Sequence, residues 1–261
     1  MSALRNYLLA FADDEHLMGQ QHIEWIGVAP FLEEDLAFSS IGQDELGHAV
    51  QLYEMVLGLE GIDPTDTAID ALAYRRPPTD YRSSWFVEYG TTDWAEALVR
   101  HWLYDMVERL RWGLVSDSNF PPLAVAARRA EREELYHRRH ADALLDALLA
   151  LPEDSSSDLT SEQAEARKRL LDALDRLVPL VSTLLEPPEN EEEVVADGVA
   201  AASITSLHTP VIDAINQRFG TSLDTSIASP GTDHRLVRSD AFEPLMSRMC
   251  EVLDLDPTAT W

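Results

Sequence analysis

The sequence predicts an all-α fold, a bundle of four long helices followed by additional C-terminal helices. Three observations point to it. Glycine supplies only 11 of 261 residues, while Leu, Ala, Glu and Arg, all good helix formers, are abundant. Apolar residues recur at alternating steps of three and four, the spacing of one helix face. Clusters of Pro, Gly, Asp and Ser punctuate the chain at helix-length intervals.

The elements follow in order. A first helix is expected over about 3–28, ended by "APFLEED" near residue 30, and a second over 31–59, ended by "EGIDPTD". Residues 60–91, with "RRPPTDY", read as a long crossing connection. A third helix over 92–116 stops at "SDSNFPP", and a fourth over 122–150 stops at "LPEDSSSD". Two more are expected over 161–185, kinked by Pro179, and over 191–218, separated by "EPPENEE". The stretch 220–238 reads as loop, and a short helix closes the chain over 239–254. The expected organisation is one domain over 1–261, with the bundle core in about 3–150 and accessory helices in about 160–255.

Formal net charge is −27, and Lys168 is the single lysine among 20 basic residues. Such a chain repels nucleic acid and anionic membrane, so neither is an expected partner. The acid excess suits a salt-rich, halophilic cytoplasm; a high-GC genome explains the Arg preference but not the excess. Cys250 is the only cysteine, which excludes an internal disulfide and a thiolate cluster. The N-terminus "MSALRNYLLAFADDEH" meets acidic residues too early for a signal peptide, and no apolar run approaches the roughly 18 residues of a membrane span. A cytoplasmic location is expected.

The apolar stripes carry polar residues where apolar ones belong. On the first helix the stripe is Leu4, Leu8, Phe11, Glu15, Met18, His22 and Trp25; on the second, Phe38, Ile41, Glu45, His48, Leu52, Met55 and Leu59. The third runs Trp94, Leu98, His101, Asp105, Glu108 and Trp112; the fourth runs Leu123, Ala127, Ala130, Glu134, His137, Ala141, Leu144 and Leu148. Each buried unpaired carboxylate costs several kcal/mol, and four would consume a typical stability of roughly 5–15 kcal/mol. Compensation by metal fits the ligand types. Glu45-Leu46-Gly47-His48 and Glu134-Leu135-Tyr136-His137 are two Glu-x-x-His units, and Glu15 and Asp105 add one carboxylate from each remaining helix. That is the inventory of a dinuclear carboxylate site in a four-helix bundle, here with Asp for one Glu. Four carboxylates and two neutral imidazoles offset two divalent ions; oxygen-rich ligation without sulfur suits Fe and also Mn. One Glu-x-x-His alone is chance-level, whereas two on stripes with matching acids are specific.

The neighbours Asp44 and Glu133 are expected to reach across the bundle, Asp44 to His137 and Glu133 to His48, orienting each imidazole. Other polar residues have plainer readings. Asp13 and His16 lie off the stripe and read as helix surface. His22 and His101 read as core or channel-lining histidines, Glu24 as a helix-end acid, and Trp94, Trp102 and Trp112 as core. Glu108 is the substitute ligand should Asp105 face elsewhere, and Glu191–Glu193 read as a solvated first helical turn. A metal-free buried polar network is the alternative to the metal site.

These residues suggest a family. "EHLMGQQHIEWIGVAP", "SSIGQDELGHAVQLYEMVLGLEG", "WLYDMV" and "REELYHRRH" resemble the phenylacetyl-CoA 1,2-epoxidase subunits, bacterial multicomponent monooxygenases with ferritin-like cores. The ligands of the catalytic member of that family fall onto Glu15, Glu45, His48, Asp105, Glu134 and His137. The "EWIGVAP" stretch and the ending "FEPLMSRMCEVL" look more like the family's C-type member, a structural paralogue that has usually lost most ligands. The resemblance implies a ferritin-like domain holding two Fe ions that activates O2 and oxygenates an aromatic acyl-CoA. It further implies homo- or hetero-oligomers with other monooxygenase subunits and a separate reductase, since the chain has no cofactor-binding Gly-rich loop. A non-catalytic scaffold and a ferritin-like iron-oxidising protein are the competing readings. A radical-bearing reductase subunit is disfavoured because Leu52, not Tyr, lies one turn after His48.

Overall fold

The computed structural model describes residues 2–149, 160–224 and 234–256. The helices are α1 (Ala3–Ile23), α2 (Leu32–Glu60), α3 (Asp66–Tyr74), α4 (Trp85–Glu88), α5 (Trp94–Leu114), α6 (Pro121–Leu149), α7 (Ser161–Leu184), α8 (Glu191–Ala196), α9 (His208–Phe219) and α10 (Phe242–Leu255). The architecture is an all-α, ferritin-like bundle. Among the described residues no helix is long and apolar enough to cross a membrane.

Local chemistry sets the boundaries. Ser2 accepts from Arg5 N to cap α1, Asp93 accepts from Glu96 N to cap α5, and Thr160 and Gln163 form a reciprocal capping box on α7. Gly61, at φ +70°, ends α2 in the left-handed conformation that glycine adopts freely. Pro121 opens α6, where its missing N–H is no loss.

α1, α2, α5 and α6 form the bundle; α1 packs along α2, α5 along α6, and α2 against α6. α1 and α2 approach closely because Gly19 faces Gly42: a Cβ on Gly42 would lie 2.9 Å from the Gly19 carbonyl oxygen. One apolar cluster fills one end of the bundle with Tyr7, Phe11, Leu52, Val56, Trp112 and Leu123. The other, with Leu17, Met18, Leu98, Trp102, Leu177 and Ile215, joins the bundle to α7, α9 and α10. On α1 and α6 the charged stripe residues lie between the positions that supply these two cores.

The structure departs from the sequence reading in several places. α1 stops at Ile23 rather than near 28, and the 60–91 crossing contains α3, α4 and a 3-10 turn at Pro78–Asp80. The expected helix over 191–218 is split into α8, a 3-10 turn at Ile204–Leu207, and α9. The break falls at Gly198, at φ +69°, where a Cβ would collide with the Asn119 side chain and where Asn119 N donates to the Gly198 carbonyl. α7 continues through Pro179 to Leu184. "PEDSSSD" and the middle of the expected 220–238 loop lie outside the described residues.

Asp13 and His16 are buried, not surface. The crossing and the C-terminal segment enclose α1: Asp13 accepts from Tyr53 Oη at 2.8 Å and Arg82 N at 2.7 Å, while Asp14 takes Arg111 and Arg235. Glu191 is also buried, accepting from Ile204 N at 3.0 Å and from Ser203, whereas Glu192 and Glu193 are solvated.

Candidate metal centre

The 3.6-residue repeat turns the polar stripe residues toward one another. Glu15 comes from α1, Glu45 and His48 from α2, Asp105 from α5, and Glu134 and His137 from α6; each is at most 2 % exposed. All six positions read from the sequence meet in one place. Glu108 of α5 joins them, one turn beyond Asp105, rather than substituting for it. Among the described residues, atoms able to ligate a metal fall into three groups, each within 4.8 Å: Glu15, His48 and Glu108; Glu45, Asp105 and His137; and Asp105, Glu108 and Glu134. Shared Asp105 and Glu108 make these overlapping groups one continuous cluster.

Outer groups orient the imidazoles. His48 Nε2 lies 2.9 Å from Glu133 Oε2, and His137 Nε2 lies 3.2 Å from Asp44 Oδ2. A proton on each Nε2, bonded outward, would leave each Nδ1 as the atom available to a cation once its own proton is displaced. His48 Nδ1 is 3.3 Å from both Glu15 and Glu108, and His137 Nδ1 is 3.3 Å from Glu134.

Two further contacts carry no sequence signal of their own. Tyr104 Oη donates to Glu15 Oε1 at 3.2 Å. Its neighbour Asp105 marks the stripe, and Tyr104, one residue away, stands outside the periodic pattern. Trp112 Nε1 donates to Glu108 Oε1 at 3.0 Å, so this core tryptophan also holds a carboxylate.

The charges are poorly satisfied. Both carboxylate oxygens of Glu45, Asp105 and Glu134, together with Glu108 Oε2 and His137 Nδ1, are buried without a hydrogen-bond partner. Asp105 Oδ2 is 3.0 Å from His101 Nδ1, yet the two are not aligned for a hydrogen bond. Burial first, and then the charge of Glu108, push Glu15, Glu45 and Glu134 well above the usual carboxylate range. Burial also raises Asp105, with His137 opposing and Glu108 adding to the rise. Glu108 is the exception: burial opposes its charge, but the hydrogen bond and charge of His48 outweigh it and hold the carboxyl at about 2. Burial likewise opposes charge on His48, but its bonds to Glu108, Glu133 and Glu15 win and raise it.

Seven side chains of ligand type, four of them with unpartnered buried carboxylate oxygens, fit a group of divalent cations better than a neutral core. Five carboxylates and two imidazoles without sulfur suit iron or manganese.

The family model of the phenylacetic acid catabolic proteins matches residues 1–261. The chain belongs to this family. A relative in Escherichia coli (strain K12), the C-type subunit of 1,2-phenylacetyl-CoA epoxidase, is 26 % identical over 200 residues, which cover 77 % of this chain and 75 % of that protein. The cluster and its outer acids are built entirely from the four bundle helices.

Proposed function

We propose that this chain holds a dinuclear iron centre and serves as an oxygen-activating subunit of a multicomponent monooxygenase acting on an aromatic acyl-CoA. The observation that carries this reading is the set of buried, unpartnered oxygens on Glu45, Asp105, Glu108 and Glu134, between two imidazoles that present Nδ1 inward. Glu15, Glu45, His48, Asp105, Glu134 and His137 would hold the metals, with Glu108 as a seventh ligand; manganese satisfies the same donors. Bound iron supplies one-electron redox chemistry toward O2.

The chain's own residues have separable roles. Asp44 and Glu133 fix the imidazole tautomers. Tyr104 holds Oε1 of Glu15, whose Oε2 faces His48 Nδ1, and Trp112 holds Oε1 of Glu108, which leaves Glu108 Oε2 free to ligate. Phe11, Phe38, Leu52 and Trp112 keep the surroundings dry. Beyond Trp112 lies a surface cavity of about 240 Å3 lined by Arg109, Gly113, Ala127 and Glu131. Electrons would come from a separate reductase, and partner subunits would complete the substrate site.

A second reading is a scaffold that positions a catalytic paralogue, favoured by the likeness to the epoxidase's C-type member. The two separate in one assay. Iron-loaded chain, supplied with a reductant and phenylacetyl-CoA alongside its co-purifying subunits, is expected to couple O2 consumption to acyl-CoA oxygenation, and Glu134→Ala is expected to abolish it. Undiminished coupling in the Glu134→Ala complex would assign the chemistry to the partner and make this chain the scaffold.

A further inference from the structure

The cluster is sealed, so a metal ion needs a way in. We propose that Glu34, His140 and His101 form the route by which divalent metal reaches the centre; the proposal rests on the reading that the cluster binds metal. Glu34 stands in the first turn of α2 and His140 on α6, with side chains 10 % and 14 % exposed. They form the rim. His140 Nε2 is 3.0 Å from Glu34 Oε2, and His140 Nδ1 is 3.2 Å from His101 Nε2. His101 Nδ1 is in turn 3.0 Å from Asp105 Oδ2, which belongs to the cluster. A continuous file of ligating atoms therefore runs from the surface to Asp105.

The spacings suit transfer of an ion from donor to donor. Adjacent octahedral ligands on bonds of about 2.1 Å are about 3 Å apart, so each pair along the file matches two neighbouring vertices around one ion. His22 extends the inner end. It is fully buried, neither ring nitrogen is hydrogen-bonded, and Nδ1 lies 3.6 Å from Glu45 Oε1. Its ring is 5.1 Å from that of His101. Phe38 packs against His22, His101 and His140 at 5.2, 5.2 and 6.2 Å, so an apolar wall borders the histidines. Stripping water from an ion beside that wall favours hand-over to the next imidazole rather than retreat.

The opposite approach is blocked by the cluster's own orientation. Asp44 and Glu133 are more accessible, at 32 % and 23 % side-chain exposure, but they meet the outward Nε2 atoms of His137 and His48. An ion arriving there faces imidazoles already engaged. Along the Glu34 file both nitrogens of His140 are also engaged, with Glu34 and His101, but the innermost donor, His101 Nδ1, is without a hydrogen bond and faces Asp105 of the cluster.

Stopped-flow uptake of Co(II) by the metal-free full chain, followed by ligand-field absorbance, tests the route. Glu34→Gln and His140→Gln are each expected to load at least tenfold more slowly, with unchanged final Co(II) per chain and unchanged Tm. Glu33→Gln removes the same charge from an exposed neighbour and is expected to load at the wild-type rate. Wild-type rates in both Glu34→Gln and His140→Gln would overturn the route, as would equal slowing in Glu33→Gln or reduced final stoichiometry in both route variants. If wild-type chain takes up no Co(II), the metal reading itself falls and the route with it; normal uptake with indifferent variants removes the route alone.

Discussion

Glu133 of α6 reaches across the bundle to His48 of α2, Oε2 to Nε2 at 2.9 Å, while the other face of the same ring looks at Glu15 and Glu108. This bond decides which nitrogen of His48 is available to a metal. The Asp44–His137 pair repeats the arrangement from the opposite helix. Loss of one outer acid, as in Glu133→Gln, should leave the fold intact and weaken metal affinity by about 10- to 100-fold. Competitive titration against a chelator checks this; affinity within twofold of wild type would show that the bond does not tune the site.

Protons should leave when metal arrives. Burial and mutual repulsion raise Glu15, Glu45, Asp105 and Glu134 in the metal-free protein, so these groups hold protons that metal displaces. Their raised folded-state values also set a sign. They stabilise the metal-free fold below the unfolded carboxylate range and lose that contribution as pH rises through their folded values. Isothermal titration in two buffers of different ionisation enthalpy should report net proton release at neutral pH, and affinity should fall on acidification. Zero release would contradict the assigned protonation.

The α1–α2 approach gives a packing prediction. A Cβ on Gly42 would sit 2.8 Å from Ile23 Cγ1 and 2.9 Å from the Gly19 oxygen, a backbone atom that cannot step aside. Overpacking costs about 1–3 kcal/mol and outweighs the gain of nearly 1 kcal/mol in helix propensity. Gly42→Ala should therefore lower stability by up to about 2 kcal/mol in urea unfolding. A more stable variant would mean that the helices are not held at this distance.

How much of this the sequence discloses depends on periodicity. Glu15, Glu45, His48, Asp105, Glu134 and His137 are legible because apolar stripes flank them, and Asp44 and Glu133 because they adjoin the two Glu-x-x-His units. Glu108 is harder: with two acids one turn apart, spacing cannot say that both face inward. Asp13, Asp14 and His16 escape the pattern because one stripe per helix assumes one buried face. α1 is enclosed on all sides, by Arg76 and Arg82 of the crossing and Arg235 of the C-terminal segment. Those partners are distant in sequence. The split of 191–218 depends on Gly198 meeting Asn119, a contact without a local pattern.

Glu96 ties α5 to the accessory layer and carries an acid-dependent prediction. It accepts from Thr92 N at 2.7 Å and Thr92 Oγ1 at 2.9 Å, and pairs with Arg176 of α7. Burial pushes its carboxyl up, but these bonds outweigh it and hold it below the usual range. A lowered carboxylate stabilises the fold above its unfolded value and loses that contribution as pH falls through its folded value. Glu96→Gln should lower Tm at neutral pH and flatten the acid limb below about pH 4.5, the region where an ordinary glutamate titrates. Parallel pH profiles for the two proteins would rule this anchor out.

The central claim is that the buried carboxylates and imidazoles exist to bind two metal ions. Metal content per chain, measured on protein purified without chelators and reconstituted with Fe(II) under anaerobic conditions, tests it most directly. The account predicts about two iron ions per wild-type chain and near-complete loss in the Glu45→Ala/His48→Ala double variant, as expected when ligands of a dinuclear carboxylate site are removed. Fewer than about one ion per two wild-type chains, or a double variant that keeps full metal content and Tm, would contradict it.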